Sequence, residues 1–172
     1  FRSFAWIFGL YAFLDSTYTT DARLFMLIKS IYYNVTRIEK NIDFAIKAVQ
    51  NNHAISEAAA LFTIGILFPF FKDSKRLANK GKRILEQEGL KQIYEDGSYI
   101  QHSNNYHRLM LQDYAWCYKI ADLNNINFST ELSERIKSAI LFLYEMQDEY
   151  TGMVPNYGNN DGALVFPLSS CD

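Results

Sequence analysis

Two short polar segments hold the residues whose types and spacing could do chemistry: Asn51-Asn52-His53 and Gln101-His102-Ser103-Asn104-Asn105-Tyr106-His107. The first stands directly before an apolar run, where an asparagine side chain can accept a backbone N–H and start a helix. Capping accounts for one asparagine and leaves the second Asn and the His unexplained. The functional alternative is that a helix N-terminus, an amide donor and an imidazole converge on a carboxylate. In the second segment, Tyr106 and His107 open another helix behind a run of hydrogen-bonding side chains, which are wasted unless they face solvent or a ligand.

Other chemistries find less support. The three histidines, His53, His102 and His107, form no metal site by spacing, because His102 and His107 miss the i, i+4 interval that puts two ligands on one helical face. The stretch from Asn156 to Gly162 invites a calcium-loop reading, but Tyr157 stands where the opening ligand belongs and Leu168 where the closing Glu belongs. It reads as a flexible turn or a substrate-contacting loop. The chain has no glycine-rich phosphate loop, no G-x-S-x-G elbow and no paired-Cys zinc motif. Cys117 falls in a helical pattern and Cys171 in the tail, so spacing suggests no disulfide framework. The Asn-x-Ser/Thr matches at Asn34 and Asn127 are short enough to arise by chance.

These residues must be positioned by a helical scaffold. The 172 residues fit one domain, 1–172, and 49% of them are hydrophobic, enough for a sizeable core. Seventeen basic against nineteen acidic residues, with no block of like charge, exclude nucleic acid as a partner. Thirteen Phe, twelve Tyr and two Trp can fill the space between helical layers, and some could form platforms for sugar rings. The longest apolar stretch, 58–71, is shorter than the roughly 18–20 residues that span a bilayer, so it reads as a buried inner helix rather than a membrane span.

Periodicity predicts about six helices joined in hairpins. Residues 1–14 are apolar on nearly every side and read as an enclosed helix. Thr19, Thr20 and Asp21 start an amphipathic helix through Leu24, Leu27, Ile28 and Ile31 that runs on toward Ile38. A buried helix over 54–71 is followed by a polar one over 74–88 with a narrow stripe of Leu77, Ile84 and Leu85, the pattern of a layered α/α array. Tyr94 to Ser98 is a turn with Gly97 suited to positive φ. Helices over 106–123 and 130–147 follow, the latter with Leu132, Ile136, Ile140, Leu141 and Tyr144 on one face. The tail beyond Asp148 is broken by Gly152, Pro155, Gly158, Gly162 and Pro167. The chain opens at Phe1 within a helical pattern and stops just after the apolar run at 163–168, so it is expected to be a fragment of a longer protein.

Taken in order, Asn51-Asn52-His53, Ser56-Glu57-Ala58-Ala59, Gln92-Ile93-Tyr94-Glu95-Asp96-Gly97-Ser98, Gln101-His102-Ser103-x-Asn105-Tyr106-His107-Arg108 and Pro155-Asn156-Tyr157-Gly158-Asn159-Asn160-Asp161-Gly162-Ala163 resemble the helical domain of the heparinase II/III and oligoalginate lyase superfamily. The resemblance covers about Asn51 to Leu168. It implies an all-α fold, an incomplete (α/α) toroid, normally followed by a C-terminal β-sandwich domain that is missing here.

It also implies a polysaccharide lyase cleaving a uronate-containing acidic glycan, heparin/heparan-like or alginate-like, by β-elimination. In that chemistry the C6 carboxylate is neutralised, a base removes the C5 proton and an acid protonates the leaving oxygen at C4. By the resemblance, Asn52 hydrogen-bonds the carboxylate, His53 helps hold or deprotonate the sugar, and Tyr106 is the acid and in some members the base. Gln101, His102, His107 and Tyr157 line the cleft as substrate-binding residues, and Asp161 orders the loop or contacts a sugar hydroxyl. The chemistry requires no cofactor; a structural metal in the missing domain stays open. A further histidine or tyrosine would come from that β-domain, so the fragment alone is expected to be inactive. A periplasmic or extracellular location follows from the resemblance only. The rivals are a glycoside hydrolase on a similar toroid, with Asp96 and Asp161 as its carboxylate pair, and a non-catalytic glycan-binding or assembly protein.

Overall fold

The computed structural model describes residues 1–165. Six α-helices follow one another: α1 (Arg2–Ala12), α2 (Asp21–Phe44), α3 (Asn52–Leu67), α4 (Ser74–Gln92), α5 (Asn104–Leu123) and α6 (Thr130–Glu145). Among the described residues the only extended pairing is an isolated antiparallel bridge between Ile93 and Tyr99, so the chain is all-helical as expected. Cys171, Leu168, Pro167 and Phe166 lie outside the described residues.

Local chemistry explains where each helix begins. Thr20 caps α2 by accepting the backbone N–H of Arg23. This helix outlasts its expected fade after Ile38, because Ile42 and Ala45 continue the buried stripe of Ile31 and Val35. A π-helical turn, Ala45–Val49, follows it and ends at Gln50 in the left-handed region, φ 53°. The next helix starts at Asn52, two residues before the expected Ala54, and ends at Leu67 rather than Phe71, since Phe68 precedes a proline and is disfavoured in helix. Ser103 caps α5, accepting the N–H of Tyr106, so Asn104 and Asn105 are helical rather than loop.

The helices pair as hairpins in two layers. Inner helix α3 is buried nearly all round, while outer helix α4 buries only the predicted stripe of Leu77, Ile84 and Leu85 along with a few small and polar neighbours. Their close approach depends on glycine: a Cβ on Gly81 would stand 2.4 Å from the backbone N of Phe62, and one on Gly65 2.4 Å from that of Ala78. The inner helices α3 and α5 run parallel, since Ser56 meets Asp113 and, further along both, Thr63 accepts from Trp116 Nε1. Both therefore start at the same end of the array.

One expectation about faces is corrected. Only Phe4, Ile7 and Leu10 of α1 are well buried among its large apolar residues, whereas Phe8 is 73% exposed, because helices cover one side of α1 and not all of it. On α6, Leu132 and Ile136 are buried while Ile140, Leu141 and Tyr144 are exposed. Among the described residues no helix packs over the groove that Ile140 and Leu141 share with Leu111 of α5.

The crossing of α3 and α4 yields a stability prediction. Gly81→Ala forces a methyl group against backbone and should cost about 3 kcal/mol in denaturant unfolding. A loss under about 1 kcal/mol would show that the two helices can separate without penalty.

Candidate active site

The start of α3 is held by a chain of amides. Asn51 is the cap: its Oδ1 accepts the N–H of His53 at 3.0 Å. Its carbonyl accepts Gln92 Nε2 at 3.1 Å, and that same Nε2 donates to Glu88 Oε2 at 2.7 Å. Gln92 Oε1 accepts the hydroxyl of Tyr99 at 2.9 Å, so the end of α4, the bridge segment and the start of α3 are tied together. The backbone N–H of Asn52 donates to Gln101 Oε1 at 3.0 Å, which joins this helix start to the segment leading into α5.

With Asn51 as cap, the Asn52 side chain is left over. Asn52 is only 4% exposed, its Oδ1 is buried without a partner, and its Nδ2 makes no hydrogen bond among the described residues. At the start of α5, by contrast, Asn104 Nδ2 donates to Pro155 O, and Asn105 donates through Nδ2 to Asp161 and accepts through Oδ1 from Arg108. A buried amide without partners costs free energy that a ligand can recover.

Tyr106 is the third residue of α5, and its hydroxyl donates to Asp161 Oδ2 at 2.7 Å. The other oxygen of Asp161 accepts the N–H of Ala163 at 3.0 Å and Asn105 Nδ2 at 3.5 Å. A strap across the start of α5 brings Asp161 there: Asn104 N–H donates to Tyr157 O at 3.1 Å and Ser103 Oγ to Asn159 O at 2.5 Å. Gly158 permits the close approach: its φ is +76°, and a Cβ there would clash with the carbonyl oxygen of His102. The Asp161 hydrogen bond raises the Tyr106 pKa above its ordinary value, aided by slight burial and by the charge of the carboxylate. The reciprocal bond, with the Ala163 N–H, lowers that of Asp161. Tyr106 is thus held as a protonated phenol.

The remaining expected residues divide. His53 is exposed beside Asn52, and His102, at φ 46°, and Tyr157 are exposed near the strap. Gln101 spends its side-chain oxygen on the Asn52 backbone and so positions the helix start. His107 is corrected: it is 2% exposed, its Nε2 lies 2.9 Å from Ala139 O, and its ring stacks on Phe142 at 5.5 Å. Burial lowers its pKa to about 4, with the Ala139 carbonyl opposing, so it is a neutral packing residue of the α5–α6 interface. Asp96 turns its carboxylate onto Ser98 within its own loop and forms no hydrogen bond with Asp161 or Tyr106.

Sequence reasoning missed one pair. One turn beyond Asn52, Ser56 Oγ donates to Asp113 Oδ2 at 2.5 Å, and Asp113 is fully buried with its Oδ1 unpartnered. Burial pushes the Asp113 carboxyl up to about 7, with the Ser56 hydroxyl pulling the other way. The available signal was an acidic residue among Leu109, Met110, Trp116 and Cys117, its neighbours three and four positions away on an apolar helical face.

Helical hairpins whose inner helices start at one mouth define a layered α/α array. The sequence profile of the heparinase II/III N-terminus matches residues 5–162, and the chain belongs to that family. It is 33% identical over 123 residues to a heparin-sulfate lyase of Bacteroides thetaiotaomicron, covering 68% of this chain and 16% of that protein. It is 28% identical over 133 residues to one from Pedobacter heparinus, covering 76% and 19%. Among solved structures, heparinase III superposes with a TM-score of 0.67 at 26% identity over 85% of this chain and 22% of the other. The heparan sulfate lyase of Pedobacter heparinus gives 0.66 at 26% identity over the same shares. The chain therefore spans less than a quarter of these relatives.

Asp113 provides a pH test of the site's floor. A carboxyl whose folded pKa of about 7 lies above its unfolded value near ~4 holds its proton more tightly when folded, so stability from this group falls as pH rises between the two. Asp113→Asn removes that loss, and its Tm relative to the parent should rise from pH 5 to pH 8. A Tm difference that does not change with pH would contradict the assignment.

Proposed function

We propose that this chain supplies the carboxylate-binding and proton-donating part of a polysaccharide lyase that cleaves a uronate-containing, heparan-type glycan by β-elimination. The observation that carries the reading is the Asn52 side chain, buried at the start of α3 without a hydrogen-bond partner. The names of the relatives, heparin-sulfate lyase and heparinase III, support a heparan-type substrate over alginate. They also favour export to the periplasm or beyond; no helix among the described residues is long and apolar enough to cross a membrane.

Asn52 Nδ2 and the His53 ring engage the C6 carboxylate of the uronate, helped by the partial positive charge at the start of α3. Neutralising that carboxylate makes the C5 proton acidic. Its removal falls to His53 or to a group outside the described residues. The C5–H electron pair then forms the C4–C5 double bond, the C4–O bond breaks with its pair on oxygen, and Tyr106 gives that oxygen its proton. Asp161 fixes the Tyr106 rotamer and keeps the phenol protonated until a strongly basic alkoxide takes the proton. Gln101, His102 and Tyr157 flank the glycan, and no step calls for a metal or cofactor.

Hydrolysis is less well supported. It needs two carboxylates facing each other across the cleft with Tyr106 buried. Asp96 is engaged in its own turn, and the Tyr106 hydroxyl is not buried.

In the intact protein assayed on heparan sulfate by the ultraviolet absorbance of the unsaturated product, Tyr106→Phe and Asn52→Ala should each lower kcat about a hundredfold or more. Undiminished turnover in Tyr106→Phe rejects the acid, and glycan binding with no turnover by the parent favours the non-catalytic reading. Asp161→Asn weakens the hydrogen bond that raises the Tyr106 pKa and removes the carboxylate charge that adds to it, so the alkaline limb of the kcat profile should move to lower pH. An unmoved limb would reduce Asp161 to a loop anchor.

A further inference from the structure

Beside the start of α3 the surface dips into a recess of about 430 Å³ lined by Arg2 of α1, Asn34, Arg37, Ile38 and Asn41 of α2, and Glu57 of α3. Glu57 lies one helical turn after His53 on the same face of α3, so the recess opens next to the imidazole, about 7.5 Å of helix rise beyond Asn52.

Its side chains are arranged as uncommitted donors and acceptors. Among the described residues neither Arg2 nor Arg37 forms an ion pair; Arg2 lies over the Trp6 ring at 5.9 Å. On the other flank of α2, by contrast, Arg76 is paired with Glu39 and Asp73. Ser3 Oγ donates to Asn34 Oδ1 at 2.8 Å, which leaves the Asn34 amide hydrogens free. Asn41 Nδ2 donates to the Arg37 carbonyl at 2.7 Å, leaving its Oδ1 as an acceptor. Glu57 Oε2 is buried with no partner.

Two guanidiniums and an amide suit an anion, and they are the groups best shaped for bidentate contact with a carboxylate or sulfate. Two unused acceptors, Asn41 Oδ1 and Glu57 Oε2, suit hydroxyl or N–H groups. One sugar bearing an acidic substituent presents both sets. We propose that this recess is an anion-reading subsite that binds the acidic group of a sugar adjacent to the one held at Asn52, with Arg37 as its main contact and Glu57 accepting from a hydroxyl of the same ring. The proposal rests on the reading of Asn52 and Tyr106 as the reacting centre.

Arg37 is exposed, so its removal leaves the core intact. Isothermal titration of the intact protein with a heparan sulfate hexasaccharide, made in a Tyr106→Phe background so that the glycan is not cleaved, should show about tenfold weaker binding for Arg37→Ala, with a shallower salt dependence; Arg37→Ala alone should retain kcat at saturating substrate. A weakening confined to the sulfated hexasaccharide assigns the anion as sulfate, and one that persists on the desulfated form assigns it as carboxylate; either supports the subsite. Affinity within twofold of the parent on both glycans overturns it. If that occurs while Tyr106→Phe still abolishes turnover, the subsite fails and the catalytic reading stands. If Tyr106→Phe keeps turnover while Arg37→Ala weakens binding, the catalytic reading fails and the recess remains a glycan site.

Discussion

Gln92 spends its whole side chain on joining three parts of the molecule. Fully buried at the end of α4, it donates to the Asn51 carbonyl and to Glu88 and accepts from Tyr99. Each of these groups would cost roughly 1–3 kcal/mol if left buried and unpaired, so the position of Asn51 is strongly determined. From there the geometry propagates: Asn51 caps α3, Asn52 becomes its first residue, and the Asn52 N–H fixes Gln101 ahead of α5. The start of α5 then sets where Tyr106 stands. The start of α3 is placed by amides that act on its backbone, which leaves the Asn52 side chain without a partner.

Much of this fold was legible in the residues. The stripe of Leu77, Ile84 and Leu85, the Thr20 cap and the Gly97 turn are local signals, and each is found where the pattern puts it. Helix ends were less legible. The extension of α2 past Ile38 depends on Ile42 and Ala45 meeting neighbours distant in sequence, and the early start of α3 depends on Gln92 and Gln101. The exposed Ile140, Leu141 and Tyr144 carry a correct helical period, but period alone does not say whether a neighbour covers the face.

The candidate site shows the same division. The two motifs containing Asn52, His53 and Tyr106 were visible because each sits at a helix start, where side chains escape regular backbone pairing. His107 was misplaced for the same reason in reverse: adjacency to Tyr106 suggested a shared face, whereas successive helical residues point about 100° apart, and His107 turns into the α5–α6 interface. The contacts joining Tyr106 to Asp161 and Ser56 to Asp113 span 55 and 57 residues, beyond any local pattern. The strap that carries Asp161 also depends on Gly158, whose need for positive φ and absent Cβ becomes evident only once His102 is seen against it.

The central claim is that the starts of α3 and α5 form one site, with Asn52 holding a uronate carboxylate and Tyr106 facing the bond to be broken. A crystal structure of the intact Tyr106→Phe protein with a heparan sulfate oligosaccharide tests it most directly. The account predicts a uronate carboxylate within hydrogen-bonding distance of Asn52 Nδ2 and the glycosidic oxygen over the edge of the ring at position 106. A glycan bound elsewhere on the protein, with the Asn52 amide still unpartnered, would contradict it.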